Sequence, residues 1–173
     1  YKAGDKDMVL FYEGEQVADK KVKKGSPVAA KALKKEGTPG HAEMYEINAN
    51  GDFIPKHNTD NWKKNWSDIE YYQTGGKDML LFYQASTGTG HMYTVAADGS
   101  LGTKIKQVVG DWRKTWTDIE YLKVGGKDLM LFYEASSGSA EIYEIAADGG
   151  LGGKANHVDG TWKKTWTDIE FYK

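Results

Sequence analysis

Three tryptophans stand 50 residues apart, at Trp62, Trp112 and Trp162, and a cation follows each one: Lys63, Arg113 and Lys163. Five positions before each indole lies a side chain able to bond hydroxyls, His57, Gln107 or His157. A flat indole beside charged and polar donors suits a sugar, whose C–H face packs on the ring while its hydroxyls bond to the polar groups. These nine residues form the candidate carbohydrate-binding set, one shallow site per copy. The same indole has a second use open to it, filling a groove between packed sheets. Stacking of single-stranded bases is a third, but a net charge of -2 gives no general pull toward nucleic acid.

A second constellation pairs carboxylates two residues apart: Asp68 with Glu70, Asp118 with Glu120, and Asp168 with Glu170. Two acids near one another could serve as the acid and base of a glycosidase. On a strand, however, residues two apart point the same way in every copy, and an active site has no need of three copies. Bonding to a neighbouring strand or loop is the expected use. The chain contains no nucleophile elbow, no phosphate-cradling loop and no H-E-x-x-H pair. Its four histidines are scattered and it has no cysteine, so neither a metal site nor a cofactor is expected. The expectation is a binding protein and not an enzyme.

These residues belong to a segment that recurs three times: WKKNWSDIE from Trp62, WRKTWTDIE from Trp112 and WKKTWTDIE from Trp162. A period of this size marks a repeat architecture, built by copying one supersecondary unit. The units run over about 5–74, with an insert at 14–40, then 75–124 and 125–173, all within one repeat domain. Each holds an apolar run without helical spacing, DMVLFY from Asp7, DMLLFY from Asp78 and DLMLFY from Asp128, which predicts a strand buried on both faces. A second strand carries Tyr45, Tyr93 or Tyr143. It enters a turn at Asn50-Gly51, Asp98-Gly99 or Asp148-Gly149, for which a type I′ hairpin is expected. A polar third strand suits an exposed edge. The strand bearing the two acids follows, led by Trp66, Trp116 or Trp166, rings expected in the core.

Four-stranded meanders with a doubly buried strand predict an all-β fold of propeller blades; a pseudo-threefold β-trefoil is the alternative. The pattern W-x3-W-x-D-I, then Gly-Gly, then K-D-(L/M)-x-L-F-Y, then a hairpin through D-G resembles the FG-GAP or VCBS-type repeats of integrin-like β-propellers, a group that includes fungal lectins. The resemblance implies that the strand from Trp116 to Val124 lies innermost, with the strand from Asp128 second. It also implies a lectin with glycans or glycoproteins as partners, secreted or extracellular. Family-type calcium loops are missing, since ADG and NGD carry too few carboxylates.

Three blades do not readily close a ring. The segment from Trp166 to Tyr172 repeats an inner strand and could complete the first unit, in its own chain or in a neighbour's. Two chains would then give six blades, so a homodimer is expected. No apolar run is long enough to span a bilayer. The first unit carries about 23 extra residues, since its Tyr12-to-Tyr45 distance is 33 against 10 from Tyr83 to Tyr93. Within them, Ser26-Pro27 followed by VAAKALKKEG predicts a lysine-rich helix. An interaction or structural module using that surface is the alternative function.

Overall fold

The computed structural model describes residues 2–3, 6–14 and 40–171 of the chain. The helix expected after Ser26-Pro27 lies outside the described residues. The described residues form twelve strands: β1 (Lys2–Ala3), β2 (Lys6–Glu13), β3 (Gly40–Ile47), β4 (Phe53–Trp62), β5 (Asp68–Thr74), β6 (Lys77–Gln84), β7 (Thr89–Val95), β8 (Leu101–Val108), β9 (Asp118–Val124), β10 (Lys127–Glu134), β11 (Ser139–Ile145) and β12 (Leu151–Val158). They form three open antiparallel sheets in the orders β1-β2-β3-β4, β5-β6-β7-β8 and β9-β10-β11-β12. No helix occurs among the described residues, and so none long and apolar enough to cross a membrane.

Each sheet is a simple meander. The strand with the two acids heads the sheet that follows it in sequence, so the sheets are offset from the 50-residue units. Among the described residues the sheets stay open, and none closes into the barrel that a trefoil would use.

Turn chemistry explains the meander, with one correction. Gly75-Gly76 and Gly125-Gly126 join first to second strands, and all four glycines take positive φ, from +55° to +79°. Thr74 pairs with Lys77 across the first of these turns, a two-residue loop with both central residues left-handed. The Asp-Gly hairpins, where that geometry was expected, use three-residue loops instead. Ala96 N–H bonds to the Ser100 carbonyl, and Gly99 N–H to the Ala96 carbonyl. Only the last loop position needs the left-handed φ of glycine, and the Asp98 carboxylate accepts from Ser100 N–H at 2.9 Å.

The core lies between the sheets. β6 turns Leu80 and Phe82 toward the first sheet, and Met79, Leu81 and Tyr83 toward the third. This is the double burial its apolar run predicts, because successive side chains on a strand face opposite ways. β10 behaves alike, with Met130 and Phe132 toward the second sheet and Leu131 and Tyr133 on its far side. β2 does not. Met8 is buried against the second sheet, but Val9 and Leu10 are half-buried and Phe11 is 51 % exposed. Among the described residues no sheet packs on the outer face of the first one, so there the run is covered on one side only.

The paired acids tie the second sheet to the third, and the third to residues 169–171. Asp68 Oδ2 accepts from Ile119 N–H at 2.8 Å and Glu70 Oε1 from Tyr121 N–H at 2.9 Å. One sheet on, Asp118 Oδ2 accepts from Ile169 N–H at 2.8 Å and Glu120 Oε1 from Phe171 N–H at 3.1 Å. The expectation that these carboxylates bond a neighbouring strand is met twice over. Their crowding has an electrostatic cost. Burial, then the charge of Glu120, pushes the Glu70 carboxyl up to about 9; burial, then the nearby acids, pushes Glu120 to about 7.

Candidate functional site

Each W-x3-W loop is anchored from both sides. The tyrosine that ends the apolar run donates to the carbonyl after the loop's first tryptophan: Tyr12 to Lys63, Tyr83 to Arg113 at 2.6 Å and Tyr133 to Lys163. Trp112 N–H and Trp162 N–H bond back to the Gly88 and Gly138 carbonyls. The loop is thus held at one end of the seam between two sheets. Gly88 has a φ of +67°, and a Cβ there would stand 2.3 Å from the Trp112 carbonyl oxygen. Gly88→Ala is therefore expected to lower stability by at least about 1 kcal/mol, with weakened near-ultraviolet Trp dichroism; an unchanged urea midpoint would mean that the loop is not so held.

Where the second and third sheets meet, this loop borders a groove of about 410 Å³. Its walls include Trp112, Arg113 and Trp116 from the loop, Lys106 and Val108 from β8, and Phe132, Glu141, Tyr143 and Lys154 from the third sheet. Arg113 Nη2 lies 2.8 Å from Glu141 Oε1 and Lys154 Nζ 2.9 Å from the same oxygen, while Tyr143 OH donates to Oε2. The Arg113 guanidinium sits 5.1 Å from the Trp116 ring and Lys154 Nζ 5.7 Å from the Tyr143 ring. Burial alone would raise the Glu141 carboxyl, but Tyr143 and Lys154 bond it and Arg113 faces it, which holds it below the ordinary value. The result is a charged, hydrogen-bonding patch set among aromatic rings.

The seam between the first and second sheets repeats the plan. Lys63 Nζ lies 5.2 Å from the Trp66 ring and Lys104 Nζ 5.5 Å from the Tyr93 ring, as Arg113 and Lys154 do in the next seam. His91 takes the place of Glu141. It is buried, its ring is 5.1 Å from Trp66, and its Nε2 has no hydrogen-bond partner among the described residues. Burial, then the charges of Lys104 and Lys63, depresses its pKa to about 4, so the imidazole is neutral and offers one donor and one acceptor.

The nine residues singled out from sequence are distributed unevenly. Trp112 and Arg113 line the groove. Trp62, expected as a partly open ring, is 9 % exposed and packs edge-on at 4.8 Å from Phe82. Trp112 is half-buried and close to Phe132 and Gly90, where a Cβ would meet its ring at 2.5 Å. The groove-filling use of the outer indoles is therefore real in both seams. Trp162 is half-buried against Trp166 and Tyr133. Of the rings expected in the core, Trp116 is buried, Trp66 is half-buried and Trp166 is 40 % exposed.

Lys63 caps Trp66, and the Lys163 side chain is exposed. His57, Gln107 and His157 lie on the outer strands, away from the indoles' groove. His57 lines a separate hollow with Glu43, Tyr45 and Lys56. Gln107 accepts from Lys104 Nζ at 3.1 Å, and His157 is exposed. They are not register equivalents: Gln107 pairs with His91 and His157 with Glu141, but Asn58, not His57, pairs with Glu43. The segment before Trp62 is two residues shorter than its counterparts, and the register shifts at Tyr93/Val95 and Tyr143/Ile145 have no equivalent between Tyr45 and Ile47, where β3 and β4 pair evenly.

Sequence reasoning missed Glu141, Tyr143 and Lys154. The signal was present, since Glu141 and Tyr143 are two apart on one strand and so share a face, and Lys154 repeats Lys104 at 50 residues. The chain matches no family model and no curated protein.

Proposed function

We propose that the protein is a multivalent carbohydrate-binding protein whose sites are the grooves between successive sheets, the sheets standing as blades of a propeller. The observation that carries this reading is the groove at Trp112 and Arg113. It joins a bulky aromatic wall to a carboxylate already oriented by an arginine, a lysine and a tyrosine. A pyranose offers both surfaces such a groove complements: a C–H face for the rings and hydroxyls that donate to Glu141 or accept from Arg113 and Lys154. The neighbouring seam keeps the plan with His91 as the central polar group. Copied weak sites become useful through linkage, because a second bond to the same glycan surface forms at high effective concentration.

No step of chemistry is assigned to these groups. Asp68, Glu70, Asp118 and Glu120 are committed to backbone N–H groups and Glu141 to ion pairs, and the proposed role is to hold a glycan or glycoprotein outside the cell. Propeller geometry adds that the strands with the paired acids line a shared axis, with β4, β8 and β12 outermost.

A glycan array probed with labelled protein tests the reading, and a blank array at high protein concentration would end it. For a glycan that binds, Arg113→Ala is expected to weaken affinity by about 5- to 100-fold, the range of one or two charge-assisted hydrogen bonds. Glu141 keeps Lys154 and Tyr143 in that variant, so the thermal midpoint should move by only a few degrees. Equal affinity in the variant would place binding elsewhere.

A further inference from the structure

Two surfaces of the chain are complementary halves of the seam that its own sheets already make twice. On one side is the face of the first sheet that no other described sheet covers. Phe11 and Tyr45 meet there edge-to-face at 5.8 Å, as Phe82 meets Tyr93 at 5.7 Å and Phe132 meets Tyr143 at 5.6 Å. Phe82 is clasped by Trp62 and Trp66, and Phe132 by Trp112 and Trp116. Among the described residues Phe11 has only Tyr45 and Phe53 as ring neighbours. On the other side is the far end of the third sheet, where Trp162 and Trp166 form the same clasp and hold no phenylalanine among the described residues.

The backbone shows the same complementarity. Among the described residues β1 covers β2 only at Asp7 and Lys6, while β5 covers β6 along seven residues. Beside the rest of β2 lies a groove of about 470 Å³, bordered by Val9, Leu10 and Tyr12 and by Ile69 and Glu70 of β5. Meanwhile residues 168–171 form no strand, yet Ile169 and Phe171 already bond to Asp118 and Glu120, as Ile119 and Tyr121 of β9 bond to Asp68 and Glu70. They stand as the first strand of a further sheet, with no second strand beside them among the described residues.

We propose that two copies join head to tail, the segment from Trp166 to Phe171 of each entering the groove beside β2 of the other. The occupant is fixed by its own sequence: the DIE of residues 168–170 repeats the DIE of β5 and β9, the strands that hold this position in the second and third sheets. In the register of β5 on β6, Asp168 falls opposite Tyr12, Ile169 opposite Phe11 and Glu170 opposite Leu10. Phe11 of one copy then enters the Trp162–Trp166 clasp of the other. A head-to-tail contact closes only if the copies complete one turn. Two copies give six sheets, within the usual four to eight of a propeller, whereas three would give nine. Each junction also builds a third groove per chain, with Lys163 on one copy facing Glu43 and Tyr45 of the other. The pairing stands whether or not the grooves bind sugar.

Native mass spectrometry and light scattering test it directly. The 173-residue chain is expected at twice 19.3 kDa at micromolar concentration. Phe11→Glu and Trp166→Glu should each fall to monomer while keeping a β-type circular dichroism spectrum. Mixed together, the two variants should recover a dimer, because one junction then joins an intact face to an intact end. A wild-type monomer, an open ladder of masses, or folded variants that fail to pair on mixing would each overturn the proposal.

Discussion

Phe132→Ala is expected to cost about 3–5 kcal/mol of folding stability, a large fraction of what a domain of this size has. The ring is 1 % exposed and meets Trp112, Trp116 and Tyr143 at centroid distances of 5.2, 5.7 and 5.6 Å. Deleting it opens a void among rigid side chains that cannot collapse into it, so the cavity cost adds to the lost transfer energy. At about 2–4 °C per kcal/mol for a chain of this length, the thermal midpoint should drop by roughly 10 °C. Phe11→Ala changes the same repeat position, yet in dilute protein it should cost under about 1 kcal/mol, since that ring is half in water. The gap between the two variants should narrow as protein concentration rises and Phe11 becomes covered. Equal losses in dilute protein would mean that the first sheet is covered within its own chain.

Glu70→Gln should stabilise the protein at pH 8 and do little at pH 5. The native carboxyl titrates at about 9 and the unfolded one near 4.5, so between those values the folded state holds a proton that the unfolded state has released. Stability from this group is then greatest below about pH 4.5, falls as pH rises, and levels off above about 9. Gln imitates the protonated acid and can still accept from Tyr121 N–H, so it removes that slope. Glu120 adds a slope of the same sign over the narrower window from 4.5 to about 7. Urea midpoints of both proteins at pH 5, 7 and 9 measure the difference. A variant less stable than wild type at pH 8 would show Glu70 ionised, its charge strengthening the bond to Tyr121.

How legible the fold was depends on which physics set each feature. Local chemistry wrote the strands and turns openly: an apolar run and a glycine pair recur in fixed order, and the sheets follow that order. The loop type at Asp98-Gly99 was misread because an Asn-Gly or Asp-Gly pair serves both two-residue and three-residue loops, and the extra residue shows only in the register. Burial was less legible, since it depends on neighbours the strand cannot name. The runs at Asp7 and Asp78 are nearly the same in sequence, yet Phe11 is 51 % exposed and Phe82 1 %, because only one of them lies between two sheets. The tryptophans failed in the same way: Trp62 is closed by Phe82, while Trp166 meets Trp162 and Tyr133 but no phenylalanine among the described residues and stays 40 % exposed. Spacing put Glu141 and Tyr143 on one face and repeated Lys104 as Lys154, but strand register, which spacing does not give, is what sets Glu141 and Lys154 together beside Arg113. The carboxylate pairs were read correctly, because residues two apart on a strand must share a face.

The central claim is that the seams between repeats hold sugar, and the six indole N–H signals in a proton–nitrogen correlation spectrum report on those seams directly. Titration with the strongest binder from the array is predicted to move the signals of Trp112 and Trp116 together, with those of Trp62 and Trp66 following at their own seam. Saturation with that sugar while every indole signal stays in place would contradict the account.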